Sequence, residues 1–167
     1  KILNDNQFGF RQKCSTTSTL LSFADEILAS MEKGEVCGAV FLDLSKAFDT
    51  VDHAIMLKKL SSIGVSTDNL AWFASYLHSR SLRTNCGPEL SEPLLCNFGI
   101  PQGSILGPLF FLIYINEMPS FIKHAQLSHY ADDTVLYYFS NTSQDLEKKL
   151  NADLYNVCAW LNQNKLT

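Results

Sequence analysis

Apolar residues recur with two different periods along this chain, and the switches between them outline its elements. From Ser18 to Glu32, Leu20, Leu21, Ala24, Ile27 and Leu28 fall at helical spacing, and Gly34 supplies a stop. Val36 to Leu42 is a short, nearly continuous apolar run, the pattern of a strand buried on both faces, and it delivers Asp43 at its end. Two helices follow. One spans Ala54 to Ile63 before Gly64; the other carries the stripe Leu70, Phe73, Ala74 and Leu77, with Thr67 or Asp68 as its cap. Ser81 to Cys86 and Leu94 to Phe98 flank a Gly87-Pro88 turn and read as a hairpin. Ser104 to Asn116 reads as a very apolar helix that tolerates Pro108 in its first turn. Leu127 to Tyr130 and Thr134 to Phe139 are β-prone runs around Ala131-Asp132-Asp133. A last helix, from about Ser143, keeps the stripe Leu146, Leu150, Leu154, Val157, Trp160 and Leu161. Strands and helices alternate irregularly, with hairpins, which predicts an α+β fold with a largely antiparallel sheet rather than a doubly wound one.

At 167 residues the chain is one domain's length, and 46% hydrophobic with 18% charged residues excludes a disordered chain. Its net charge of −4 does not by itself point to a nucleic-acid binder. Cys14, Cys37, Cys86, Cys96 and Cys158 are scattered and form no C-x-x-C pair, so they read as buried reduced thiols in an intracellular protein. The longest apolar run, Ile105 to Ile115, is broken by Gly107 and Pro108 and is too short for a membrane span. No signal peptide opens the chain. Starting at Lys1 and stopping at Thr167 within a helical pattern, it reads as a piece of something longer.

The chemistry concentrates in Tyr130-Ala131-Asp132-Asp133. Two adjacent carboxylates at a hairpin tip repel each other, and a divalent cation would compensate them; hard Mg²⁺ favours such oxygens. A plain Asx-type turn is the bland alternative. Asp43 at the end of a strand in the same sheet adds a third carboxylate. Three such groups can hold two metal ions about 3.5–4 Å apart, the arrangement for in-line attack at a phosphate. Phosphoryl or nucleotidyl transfer follows as the class, without a choice between them. Gly99-Ile100-Pro101-Gln102-Gly103-Ser104 lets backbone approach a ligand closely, while lacking the lysine and glycine spacing of a P-loop; an ordinary loop with Ser104 as N-cap is its alternative.

Three segments in order resemble the palm motifs of reverse transcriptases: Phe41-Leu42-Asp43-Leu44-Ser45-Lys46-Ala47-Phe48-Asp49-Thr50-Val51-Asp52-His53, then Gly99 to Ser104, then Tyr130 to Asp133. Gln7-Phe8-Gly9-Phe10-Arg11 with Ser15-Thr16-Thr17 is similar to the fingers segment of the non-LTR (LINE-type) retrotransposon branch. The resemblance implies a polymerase palm, about 36–167, with an antiparallel sheet packed by helices. Part of the fingers would occupy about 1–35, with the early fingers and the thumb outside the chain. Trp160 to Thr167 is similar to the approach to a fourth palm motif.

By the same resemblance, Asp43 and Asp132 are metal ligands, Asp133 is the supporting carboxylate, and the Leu44 carbonyl is a further ligand for two Mg²⁺ ions. Phe48 would stand against the sugar of the incoming nucleotide and exclude a ribose 2′-OH. Pro101, Gln102 and Gly103 would contact that nucleotide, and Arg11 would meet template or triphosphate. Lys46, Asp49 and His53 shape the segment after Asp43, and the four histidines form no close pair along the chain. Arg80 and Arg83 are either nucleic-acid contacts or a solvated hairpin face. The implied activity is RNA-directed DNA polymerisation with RNA template, DNA primer and deoxynucleoside triphosphates as partners, in nucleus and cytoplasm. The rivals are an inactive retrotransposon remnant that only binds nucleic acid or a partner, and another palm-type enzyme such as an intron-encoded reverse transcriptase or a nucleotide cyclase.

Overall fold

A computed structural model describes residues 2–11 and 14–166. In chain order the elements are α1 (Thr16–Glu32), β1 (Val36–Leu42), α2 (His53–Ser62), α3 (Thr67–Leu77), β2 (Arg80–Leu82), β3 (Asn85–Cys86), β4 (Glu89–Leu90), β5 (Leu94–Cys96), α4 (Leu106–Ile115), a 3-10 turn (Met118–Phe121), β6 (Gln126–Tyr130), β7 (Asp133–Ser140) and α5 (Ser143–Gln163). They fall into two compact units, residues 1–47 with 115–167, and residues 48–114. This mixture of helices and antiparallel sheet is the expected α+β class.

The first unit is built on an antiparallel sheet in the order β1-β7-β6. Leu42 pairs with Thr134 and Val36 with Ser140, while Leu127 pairs with Leu136 and Tyr130 with Asp133. One face carries Leu127 and Leu136, and the amphipathic stripe of α5 supplies Leu150, Val157 and Trp160; all five are buried. On the other face α1 lays Phe23 edge-on to Tyr137, with ring centroids 4.8 Å apart, and the Tyr137 hydroxyl donates to Glu26 at 2.8 Å. Helix α1 starts where Ser15 and Ser18 each accept the other's backbone N–H, a reciprocal cap. The Asp153 carboxylate of α5 accepts three N–H groups, from Lys123, His124 and Ala125, and so fixes the entry to β6.

Two expectations need correcting here. Strand β1 is not buried on both faces: its exposure alternates along the strand, and Phe41 stays 73% exposed. The cause is its place at the edge of a three-stranded sheet, only partly covered by α1. The five cysteines are not buried either. All are free, but Cys37, Cys86 and Cys158 are exposed, and Cys14 and Cys96 are half-exposed.

In the second unit α4 provides the core, with Phe110, Phe111 and Leu112 buried. Phe73 of α3 meets Phe110 edge-on at 5.3 Å. Asp52 caps α2 by accepting the Ile55 N–H, whereas Ser66, not Thr67 or Asp68, takes the cap position of α3 and makes no side-chain bond there. The expected hairpin forms in two steps. Strands β2 and β5 pair through Ser81 and Leu95, and β3 and β4 pair through Cys86 and Glu89 around Gly87-Pro88. Pro93, which has no N–H to give a ladder, lies in the break between them. Among the described residues no helix is long and apolar enough to cross a membrane.

Candidate active site

The loop between β6 and β7 is two residues long, Ala131 and Asp132, closed by the Tyr130–Asp133 pair. Such tight loops need left-handed backbone, and Ala131 has φ 58°. For a residue with a Cβ that conformation costs about 1–2 kcal/mol, so something outside the loop must hold it. Gln7 does so. Its buried side-chain oxygen accepts the Ala131 N–H at 3.1 Å and the Gly9 N–H at 2.8 Å, while its amide nitrogen donates to the Ala131 carbonyl at 3.4 Å. The segment around it runs parallel to β6, with Phe8 N–H donating to the His129 carbonyl and His129 N–H to the Asn6 carbonyl. Gly9 is required by contact: a Cβ there would lie 2.2 Å from the Ala131 nitrogen. Arg11 anchors the same segment, donating through Nη1 to the Asn4 and Gln7 carbonyls at 2.9 and 2.8 Å.

Asp132 is half-exposed and Asp133 exposed. Asp43 follows Leu42, the last paired residue of β1; continuing the Leu42–Thr134 register by one step sets Asp43 opposite Asp133. Asp43 is exposed, so its carboxylate carries no cost of burial at the strand end; Leu44 beside it is buried. Among the described residues no group of three or more His, Cys, Asp or Glu side chains is placed to hold a metal ion, so Asp43, Asp132 and Asp133 do not meet as a ready set of three ligands. The donor chemistry nevertheless fits Mg²⁺, which keeps several waters and is commonly held by one or two carboxylates plus substrate phosphates. Beside Asp133 an apolar groove of about 340 Å³ is walled by Phe41, Tyr130, Val135, Leu20 and Phe23.

In the second unit, Phe48 is half-buried and stacks on Phe111, centroids 4.7 Å apart and planes 24° apart. Its carbonyl accepts the Ile100 N–H at 2.9 Å, and Val51 accepts that of Gly99 at 2.8 Å. The two chain segments are thus tied backbone to backbone. Gly99, at φ 78°, fits only as glycine, since a Cβ would lie 2.8 Å from the Asp49 carbonyl oxygen. His53 Nε2 bonds the Gly99 carbonyl at 2.8 Å, and Arg80 donates to that same carbonyl and to Leu77. Burial holds the His53 imidazole below its ordinary pKa; the Gly99 bond opposes this and the Arg80 charge adds to it. His53 and His78, far apart in sequence, bring their rings within 5.3 Å. Gln102 is exposed and donates to the Asp49 carboxylate at 2.9 Å; Pro101 is half-buried and Gly103 exposed. A cleft of about 640 Å³ opens beside Gln102, with Asp49, Arg80, Cys96 and Phe98 on its walls.

The family model for reverse transcriptase (RNA-dependent DNA polymerase) matches residues 1–167. The chain belongs to the reverse transcriptase family. It is 33% identical over 167 residues to the probable RNA-directed DNA polymerase from transposon BS of Drosophila melanogaster, covering 96% of this chain and 18% of that protein. With the probable polymerase from transposon X-element of the same fly it shares 29% over 163 residues, 95% of this chain and 18% of the relative. With the RNA-directed DNA polymerase from mobile element jockey of Drosophila funebris it shares 33% over 114 residues, 68% and 12%. The chain thus spans under a fifth of the length of these curated relatives. Against a reverse transcriptase background, the residue that sequence reasoning passed over is Gln7. Its only local signal was the neighbouring Gly9, a residue type that marks close backbone approach.

Proposed function

We propose that this reverse transcriptase domain is catalytic and extends a DNA primer on an RNA template with deoxynucleoside triphosphates, in retrotransposon replication. The observation that carries the reading is the placement of Asp132 and Asp133 at the tip of the β6–β7 hairpin, with Asp43 at the end of the neighbouring strand and all three open to solvent or nearly so. Residues 36–47 and 115–166 then serve as most of the palm.

Asp43, Asp132 and the Leu44 carbonyl are the candidate holders of Mg²⁺, with Asp133 in support. Bound Mg²⁺ would supply charge neutralisation at the transferred phosphate and a lowered pKa for the primer 3′-hydroxyl. The protein's own part is to aim these oxygens. A two-residue loop allows the Asp132 side chain little latitude, and the continued sheet register sets Asp43 opposite its neighbour Asp133. Phe48, immobilised on Phe111, bars a sugar 2′-hydroxyl sterically, so deoxynucleotides are favoured. Gln102, Pro101 and Gly103 form the nucleotide-contacting loop. Arg11, anchored through one end of its guanidinium, offers the other edge to template or triphosphate.

Primer extension by the full-length polypeptide on an RNA template, with Mg²⁺ and deoxynucleotides, tests the reading beside Asp132→Ala. Extension that disappears in the variant is the expected result. A folded protein that binds primer–template and extends nothing would replace this reading with that of a binding remnant.

A further inference from the structure

The Ala131–Asp132 loop is held by a side chain 124 residues away in sequence. Resting on the reading of Asp132 as a metal ligand, we propose that Gln7 is a positioning residue for it. Its carboxamide engages both backbone polar groups of Ala131 and keeps that residue left-handed, so that Asp132 presents its carboxylate in one fixed direction.

Three features favour this over a generic packing role. Gln7 is only 3% exposed, and its amide is spent on the loop and on Gly9 rather than on the sheet core. Its own backbone is anchored from outside the loop, by Arg11 through the Gln7 carbonyl and by the parallel bridge to His129. The clasp therefore has a fixed base. Finally, Gly9 lets the segment come close enough for the amide to reach, since any Cβ there would collide with the Ala131 backbone. Without the amide, Ala131 loses the bonds that offset its unfavourable φ, and the loop can relax toward other conformations that re-aim Asp132. Misplacement of a reacting or ligating group by about 1 Å is enough to lose about 100-fold in rate.

The test uses the full-length polypeptide with Gln7→Met, which keeps the side-chain length and removes the amide. Turnover in single-nucleotide incorporation should fall about 10- to 100-fold, with KM for the nucleotide and affinity for primer–template within about twofold of the parent protein. Independently of activity, Mn²⁺ binding followed by electron paramagnetic resonance should weaken in the same direction as in Asp132→Ala. A Gln7→Met protein that melts earlier, yet keeps the parent turnover and Mn²⁺ binding, overturns the proposal and leaves Gln7 a structural residue. Should Gln7→Met not fold, Gln7→Glu is read in its place. It retains an acceptor for the two N–H groups but loses the donor to the Ala131 carbonyl, and full turnover in it has the same overturning force. If Asp132→Ala itself extends primers and binds Mn²⁺ normally, the metal reading fails first, and that outcome is distinguishable from a silent Gln7→Met beside a dead Asp132→Ala.

Discussion

Gln102 donates from its side-chain nitrogen to the Asp49 carboxylate at 2.9 Å, across 53 residues of sequence. This fixes which end of the amide faces which way: the nitrogen is held by Asp49, and the oxygen is turned elsewhere. Asp49→Ala removes the hold without touching Gln102. A hydrogen bond to a charged group at an exposed site contributes about 1–1.5 kcal/mol. The expected result is therefore a rise of roughly 5- to 10-fold in KM for deoxynucleotides, with turnover little changed. Steady-state incorporation of a single nucleotide reads the split. An unchanged KM would show that Gln102 orients itself without Asp49.

Phe48 gains its rigidity from Phe111, whose ring lies nearly parallel to it and is itself fully buried. Such a stack adds about 0.5–1.5 kcal/mol beyond area burial. If Phe48 is the barrier to a 2′-hydroxyl, Phe48→Ala raises incorporation of ribonucleotides relative to deoxynucleotides by about 10-fold or more, one to two kcal/mol of lost steric discrimination. Phe111→Leu, which keeps the core filled and removes the stack, should move the ratio in the same direction by less. Competition assays with paired ribo- and deoxynucleotides measure both. An unaltered ratio in Phe48→Ala would remove it from sugar selection.

Local pattern accounts for what could be read beforehand. Strand β1 begins and ends at Val36 and Leu42, where its apolar run does, and the β6–β7 hairpin brackets Ala131 and Asp132 because β-prone runs flank them. What escaped is long-range. The exposure of Phe41 depends on β1 lying at a sheet edge, which its own residues do not state. The clasp of Gln7 on Ala131 and the meeting of His53 with His78 arise only when distant segments pack. The two-step hairpin at residues 80–96 was within reach, because Pro93 sits where a continuous ladder would need an N–H.

Asp153 predicts a stability effect remote from the carboxylates of the hairpin. It is fully buried, and burial alone would push its carboxyl pKa up; the N–H groups of Ala125, Lys123 and His124 outweigh that and hold it below the usual carboxylate value. A depressed folded-state pKa means that the contribution is present above the unfolded value of about 3.9 and is lost as pH falls below it. Asp153→Asn replaces one accepting oxygen with a donor aimed at backbone donors. With about 1.5–3 kcal/mol for a hydrogen bond to a charged group, the variant should lose roughly 2–4 kcal/mol. Urea unfolding at pH 7 measures the loss, and a difference under half a kcal/mol would refute it.

His129 adds a second loss of stability on the acid side, beginning at higher pH than that of Asp153. Its ring is buried, Nδ1 lies 2.8 Å from the Thr134 hydroxyl, and that hydroxyl in turn donates to the Asp132 carbonyl at 3.4 Å. With Thr134 donating onward, His129 carries its proton on Nδ1 and leaves Nε2 as a bare acceptor; among the described residues Nε2 has no partner. Protonation would put an N–H at that buried, unpartnered position, and burial accordingly pushes the pKa down to about 4. Between that value and the unfolded value of about 6.5, the unfolded chain binds a proton that the folded chain does not, so stability falls as pH is lowered through this window. At about 1.4 kcal/mol per unit, the loss attributable to this residue reaches roughly 2 kcal/mol by about pH 5. His129→Phe keeps a ring in the core and cannot titrate. The difference in stability between the two proteins should therefore shift in favour of the variant by about that amount on going from about pH 7 to 5. Denaturant titrations at the two pH values give the comparison, and a difference that does not change with pH would rule out a neutral, buried His129 as its source.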